Sequence, residues 1–178
     1  MILQFTENMP GIEHSKRRTY FDTTKSSFND KLIEFHSAYF AVTEGDDGHL
    51  ERFGLSEGYA SGMHVLMEVL SSLDLKPVMV KGQLTGPFTL GTSLTDRGRR
   101  SAYYDPQLRD VMVKYLAMKA GWQLRKLSDF SSALIFIDES GMAAFGSSLF
   151  LSISEGDILK DIGEVIDTIH TEKEDDHG

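Results

Sequence analysis

The sequence predicts an α/β fold with parallel strands and long amphipathic helices. Apolar residues at helical spacing alternate along the chain with short β-branched runs, and one such run, Ala133 to Asp138, is apolar almost throughout. An uninterrupted apolar run is typical of a strand that is buried on both faces of a parallel sheet. The order of these elements indicates βαβ units with right-handed crossovers.

The helices are predicted from apolar spacing and from residues that start a helix. Asp105 stands before Pro106, which is a common start signal because aspartate accepts free N–H groups and proline has none to lose. A further helix is expected near Pro87. The predicted long helices run from about Asn29 to Thr43, from the N-cap Ser56 to about Leu73, from Asp105 through Leu127, and from Ser154 to about His170. The second of these carries an apolar stripe of Tyr59, Met63, Leu66, Met67, Leu70 and Leu73.

Three short apolar runs are predicted as strands: Ile2 to Phe5, Val78 to Lys81, and Ala133 to Asp138. The polar stretch from Glu7 to Ser27 is predicted to be a long surface loop, a kind of segment that is often functional. We expect one domain over residues 1–178, ending in a solvated acidic tail at 171–178.

Composition excludes several classes of function. The net charge is −9, which argues against binding nucleic acid or an anionic membrane, since both need a clustered basic surface. Without cysteine, the chain cannot form a disulfide, a thiolate metal site or a cysteine nucleophile. No apolar stretch approaches the roughly 18–20 residues of a membrane span, and the N-terminus does not resemble a signal peptide. We therefore expect a soluble cytoplasmic protein that binds a small molecule.

Candidate site residues follow two of the predicted strands, where ligands bind in parallel α/β folds. In the first loop Gly82 and Gly86 allow close backbone approach, and Gln83 and Thr85 offer neutral hydrogen bonds. The simpler reading is a tight strand-to-helix turn without a ligand.

The second candidate loop carries adjacent carboxylates, Asp138 and Glu139, which are costly at the end of a buried strand unless they are solvated, paired or used. Adjacent residues at a strand end point in opposite directions. One carboxylate can therefore face a pocket while the other caps a turn. The alternative is that both only cap helices.

These segments resemble a known superfamily. "VKGQLTGPFTLG" (80–91), "AYYDPQLRDVMVKYLAMKAGWQLRKL" (102–127) and "LIFIDES" (134–140) are similar to cobalamin-independent methionine synthase and uroporphyrinogen decarboxylase, and "FGLSEGYASGMHVLMEVL" (53–70) to the preceding helix of methionine synthase-like members. The resemblance implies a (β/α)8 TIM barrel with its site at the carboxyl ends of the strands. It places Gln83 and Thr85 on the substrate-facing loop. Asp138 and Glu139 match the acidic pair that helps hold a substrate amino group, with Ser140 in place of the family's proline.

The resemblance also implies zinc, which activates a substrate thiol for methyl transfer. The family's zinc ligands are a His-x-Cys pair and later Cys and Glu positions, which this chain lacks, so we expect no cofactor here and zinc in a full-length member. A barrel of this type has about 250 residues, so we expect a partial TIM barrel. Its open parallel edges predict a homo-oligomer.

Three functions remain open from the sequence. The first is a methionine synthase-like methyltransferase domain that acts on a small thiol such as homocysteine, inactive as this chain alone. The second is a uroporphyrinogen decarboxylase-like enzyme, in which Arg97, Arg99 and Arg100 would bind substrate carboxylates. The third is a remnant that binds or assembles without catalysis.

Overall fold

The computed structural model describes residues 2–147, 150 and 152–174 and forms a mixed α/β fold with parallel strands, as predicted. The helices are α1 (Ile2–Thr6), α2 (Phe28–Thr43), α3 (Glu57–Ser72), α4 (Pro87–Ser93), α5 (Pro106–Ser128) and α6 (Glu155–Glu174). The strands are β1 (Ile12–His14), β2 (Thr19–Phe21), β3 (Met79–Thr85), β4 (Thr95–Asp96) and β5 (Ser132–Asp138). Short 3₁₀ helices cover Asp47–Phe53, Ala102–Tyr104 and Ser140–Ala144.

The strands form two separate sheets. In the two-stranded sheet β3 pairs with β5 in parallel, from Met79 opposite Ser132 to Thr85 opposite Asp138. In the other sheet β1 pairs antiparallel with β2, and β2 pairs in parallel with the short β4. Across the described residues these strands do not close into a barrel.

The β3–β5 sheet is buried on one face only. Val80 and Leu84 of β3 point toward α5 and are buried, whereas Met79 on the opposite face is 54% exposed. Phe136 of β5 is 55% exposed on that same opposite face. The expectation that Ala133 to Asp138 is buried on both faces is therefore wrong: an apolar run records which residues can be buried, not whether a second layer covers them.

Helix α5 forms the centre of the core and begins where the sequence predicts. The Asp105 carboxylate accepts hydrogen bonds from the backbone N–H groups of Gln107 (3.0 Å) and Leu108 (3.2 Å). Apolar residues then occur all round the helix, and the stretch 115–122 is buried. Trp122 lies in this core and donates its indole N–H to Glu51 Oε2 at 3.0 Å.

Helix α3 contrasts with α5 because little of the described chain covers it. Its start at Ser56 is confirmed, although the Ser56 side chain makes no capping hydrogen bond. Ala60 departs from helical geometry (φ −140°, ψ 41°) and is the only buried residue among those described in this helix. The predicted apolar stripe leaves Leu66 and Leu73 exposed.

The N-terminal prediction is wrong in two places. Ile2 to Phe5 is not a strand but the body of helix α1, closed by the Thr6 hydroxyl, which donates to Ile2 O at 3.0 Å. A run of four apolar residues fits one helical turn as well as a strand, and here no described strand pairs with it. The predicted loop from Glu7 to Ser27 contains the β1–β2 hairpin, whose turn is held by the Ser15 hydroxyl donating to Arg18 O at 3.0 Å.

At the C-terminus, residues 171–174 continue α6, and the rest of the predicted acidic tail lies outside the described residues. Among the helices that the structure describes, none combines the length and apolar character needed to cross a membrane.

Candidate substrate site at the carboxyl edge of β3 and β5

Three of the four predicted site residues share one face of the β3–β5 sheet. Paired residues of neighbouring parallel strands project to the same side, and residues two apart along a strand do so as well. The register pairs Gln83 with Phe136 and Thr85 with Asp138. The Lys81 ammonium lies 4.5 Å from the centre of the Phe136 ring, which shows directly that this face is common to both strands. Gln83, Thr85 and Asp138 therefore lie together at the carboxyl edge.

The polar groups on this face lack partners inside the described chain. Thr85 is only 4% exposed, and its buried hydroxyl makes no hydrogen bond. The neighbouring Asp138 is half-buried, and among the described residues its carboxylate has no hydrogen bond or ion pair. An unsatisfied buried hydroxyl costs about 1–3 kcal/mol. A ligand that donates hydrogen bonds could supply the missing partners of the Thr85 hydroxyl and the Asp138 carboxylate.

Glu139 is turned away from that face. Its carboxylate accepts hydrogen bonds from Phe88 N (2.9 Å), from Thr89 N (2.7 Å) and from the Thr89 hydroxyl (2.6 Å). The Thr89 hydroxyl in turn accepts from Gly141 N at 2.9 Å. Glu139 therefore caps α4 and ties the loop after β5 to the loop after β3, which is the capping role that the sequence left open for one of the two carboxylates. Its role in binding substrate stays a prediction.

The two glycines make room for the protein itself, and Gly82 lies within strand β3 and not in the predicted loop. A Cβ on Gly82 would lie 2.5 Å from Ile135 Cδ1 and 3.1 Å from Leu127 Cδ1, so this glycine permits close packing of β3 on β5 and α5. A Cβ on Gly86 would collide with the Glu139 carboxylate. The interpretation that Gly82 and Gly86 allow close approach of a ligand is therefore replaced by one in which side chains of this chain occupy the space.

Two cavities beside the helices do not include the candidate site. A cavity of about 440 Å³ lies beside α1 and α2, and another of about 370 Å³ lies between α5 and α6. Neither is lined by Gln83, Thr85, Asp138 or Glu139. On the side of the sheet opposite α5, Gln83 and Phe136 are exposed, whereas the Thr85 hydroxyl is covered.

A buried lysine lies behind the sheet, and sequence reasoning missed it. Lys119 on α5 is fully buried and donates to the carbonyl oxygens of Phe53 (3.3 Å) and Gly54 (3.2 Å). Burial lowers the pKa of Lys119 to about 8, because the charged form loses its hydration. The available signal was the position of this lysine inside the apolar run "YLAMKAGW" (115–122).

A second buried polar cluster joins α5 to α6. The Tyr103 hydroxyl donates to Asp161 Oδ2 at 2.6 Å, and Arg109 Nε donates to the same oxygen at 2.7 Å. Burial, together with the hydrogen bond to Asp161, raises the pKa of Tyr103. The cluster fixes the angle between two helices and lies apart from the carboxyl edge of β3 and β5.

The residues present do not fit the zinc ion that the family resemblance implies. The chain has no cysteine to supply thiolate ligands. In the part of the chain that the structure describes, no three histidine or acidic residues are grouped closely enough to hold a metal ion.

No protein-family model, curated protein or solved structure matches this chain significantly. The structure itself shows a mixed α/β protein in which a pair of parallel strands carries polar groups at its carboxyl edge.

Proposed function

We propose that the carboxyl edge of β3 and β5 binds the amino-acid part of a small thiol in a methionine synthase-like methyl transfer. The observation that carries the proposal is the unpartnered Thr85 hydroxyl beside the unpartnered Asp138 carboxylate. An ammonium group is a cation with three donors and no acceptor. It would pair with Asp138 and, where binding uncovers the Thr85 hydroxyl, satisfy that oxygen too; the ion pair with Asp138 would favour an amine over a neutral group.

Gln83 and Glu139 have different parts in this proposal. The Gln83 side chain is exposed on the same face as Asp138 and offers an amide N–H₂ to a substrate carboxylate. Glu139 acts as a positioning residue, since its three hydrogen bonds to Phe88 and Thr89 hold the two loops together. We assign no zinc ligand and no step of bond making to this chain.

The test compares two ligands that differ by one group. The ¹⁵N-labelled 178-residue chain is titrated with L-homocysteine and with 4-mercaptobutyrate, which lacks the amino group. We expect homocysteine, and not 4-mercaptobutyrate, to shift the amide resonances of Gln83, Thr85 and Asp138. Asp138→Asn should weaken homocysteine binding about tenfold, because a hydrogen bond to a charged group contributes about 1.5–3 kcal/mol.

The matched control for that titration is Glu68→Gln, which removes an exposed carboxylate on α3, outside the β3–β5 sheet. It should leave homocysteine binding unchanged. Equal binding of the two ligands, or an Asp138→Asn variant that binds like the wild type, would contradict the proposal.

The arginine cluster gives the decarboxylase alternative no added support. Arg97 donates to the Thr24 hydroxyl at 3.1 Å and lies 3.8 Å from Asp22 Oδ2. Arg100 donates from its side chain to Tyr104 O at 3.4 Å. Two of the three arginines thus stabilise the loops around β4 instead of standing free for substrate carboxylates.

An assembly role is the second candidate, and the uncovered sheet favours it. Within the described chain, β3 and β5 pair only with each other, so each has an outer edge without a neighbour. Unpaired parallel edges are templates for association with another chain. We propose a homo-oligomer formed through these edges and the bare face that carries Phe136.

Sedimentation velocity over a range of concentrations tests the oligomer. We expect self-association in the wild type and a shift toward monomer in Phe136→Lys. Val65→Lys is the matched control, because Val65 is equally exposed but lies on α3. A compact monomer at every concentration would contradict the assembly proposal and leave the ligand proposal standing.

A further inference from the structure

The cavity of about 440 Å³ beside α1 has walls from distant parts of the chain. One face of α2 forms a wall, where Lys31, Glu34, Phe35 and Ala38 recur at the spacing of a single helical face. The turn between α1 and β1 forms a second wall, and Tyr115 of α5 closes the floor. A volume of this size is within the usual range for small-molecule sites, about 300–1,000 Å³.

The cavity is already built without a ligand. The Tyr115 hydroxyl donates to Glu7 O at 2.7 Å, and the Ser56 N–H donates to Glu7 Oε2 at 3.1 Å. These bonds fix the α1–β1 turn against α5 and the start of α3. The next residue, Asn8, has a φ of 62°, in the left-handed region that residues other than glycine seldom adopt.

Its floor is a rigid aromatic cluster. The rings of Phe53 and Tyr115 are 5.4 Å apart, and those of Phe35 and Tyr115 are 5.6 Å apart. All three residues are buried and pack edge-on or tilted against one another. The edges of these rings and the more exposed Tyr59 ring give a preformed apolar lining for a flat group.

Around this floor the charged side chains balance, with Lys31 and Arg52 against Glu7 and Glu34. Among the described residues the Lys31 ammonium, the Asn8 amide and the Tyr59 hydroxyl have no partner. Arg52 has only a long ion pair of 4.0 Å with Glu34. Of these four charged side chains, Lys31 is the one without a partner among the described residues.

We propose that this cavity binds a small carboxylate with a flat apolar body. The carboxylate lies between Lys31 and Arg52 at the rim, and the apolar body contacts Phe35 and Phe53 on the floor. A cationic ligand fits less well, because Glu7 already accepts a hydrogen bond from the Ser56 N–H, whereas the Lys31 ammonium has no partner among the described residues. The site is separate from the carboxyl edge of β3 and β5.

Two probes with the same apolar part and opposite charge test the proposal. The ¹⁵N-labelled full chain is titrated with phenylacetate and, separately, with benzylamine, which share the ring and the methylene. We expect phenylacetate to shift the amide resonances of Asn8, Lys31 and Arg52, and benzylamine to leave them in place. Lys31→Met should weaken phenylacetate binding about fivefold, the loss of one partly solvated ion pair. Lys31 is exposed, so this variant should fold normally.

Lys76→Met is the matched control, because Lys76 is also exposed but lies outside the cavity. It should bind phenylacetate like the wild type, and so should Asp138→Asn, which keeps this proposal distinct from the homocysteine site. Absence of phenylacetate binding at millimolar concentration, equal binding of benzylamine, or an unaffected Lys31→Met variant would each overturn the proposal.

Discussion

The two faces of the β3–β5 sheet are made by the same strands but differ in what covers them. On one face Leu84 is fully buried against α5, and the side chains of Ile135 and Leu127 fill the space over Gly82. On the other face Met79 and Phe136 are exposed, and Asp138 has no partner among the described residues. Strand propensity therefore does not distinguish the faces; the neighbouring layer does.

The packed face should contribute mainly to folding stability, and the bare face mainly to binding. The packed face contributes apolar burial of roughly 25 cal/mol per Å², which favours folding. The bare face contributes little, and it keeps the polar groups whose hydrogen-bonding capacity is unused. Substitutions on the packed face should therefore change the free energy of unfolding, and substitutions on the bare face should change binding or association.

The largest expected difference in the free energy of unfolding is between two truncations on opposite faces of β3. Leu84→Ala should lower the free energy of unfolding by about 2–5 kcal/mol, because it leaves a cavity in a fully buried position. Met79→Ala, at a residue that is 54% exposed, should cost less than about 1 kcal/mol. Urea denaturation of the two variants measures the difference, and equal losses would mean that a further layer covers the bare face.

The start of α5 and the convergence of the two loops could be predicted from the sequence because both depend on local rules. An aspartate before a proline starts a helix wherever it occurs, and parallel strands bring their carboxyl ends to one edge. Thr85 and Asp138 accordingly lie side by side.

The features that could not be predicted from the sequence depend on contacts between residues far apart along the chain. The run Ile2 to Phe5 fits a helix or a strand, and only its packing decides between them. Glu139 is an acidic residue next to Asp138, and the sequence does not distinguish their roles. In the structure the free N–H groups at the start of α4 bind the Glu139 carboxylate. The burial of Lys119 likewise depends on Phe53 and Gly54, which are far away along the chain.

The next largest change in stability is expected at Gly86, which directly follows β3. Gly86→Ala should cost about 1–3 kcal/mol, the usual range for overpacking, because the new methyl group meets the Glu139 carboxylate. Gly62→Ala in α3 is the matched control: nothing lies within 4 Å of the added Cβ, so it should stabilise the helix by up to about 1 kcal/mol. Thermal and urea unfolding measure both. A neutral Gly86→Ala variant would mean that Glu139 does not cap α4 in solution.

The buried Lys119 should make the free energy of unfolding depend on pH. Its pKa is about 8 in the folded chain, against an ordinary value of 10.5. Between these values the unfolded chain binds more protons, so the free energy of unfolding should rise with pH, by about 2 kcal/mol between pH 8 and 10. Urea denaturation at several pH values should show this rise in the wild type and not in Lys119→Met.

The control for this measurement is Lys81→Met on the bare face, which should keep the rise because Lys119 remains. The measurement should stop near pH 10, where tyrosines of the unfolded chain begin to ionise and oppose the trend. A wild-type stability that stays flat from pH 8 to 10 would mean that the Lys119 ammonium is better solvated than its burial indicates.

The smallest expected effect bears most directly on the proposed ligand. Thr85→Val replaces a buried hydroxyl that has no partner with a methyl group of similar size, so it should leave stability unchanged or raise it by about 1 kcal/mol. Thr168→Val is the matched control, because the Thr168 hydroxyl donates to Glu164 O at 2.8 Å, and this variant should lose about 1 kcal/mol. If Thr85→Val loses as much as Thr168→Val in urea denaturation, then the Thr85 hydroxyl is already satisfied in the free chain. An ammonium ligand would in that case find one acceptor, Asp138, where the proposal requires two.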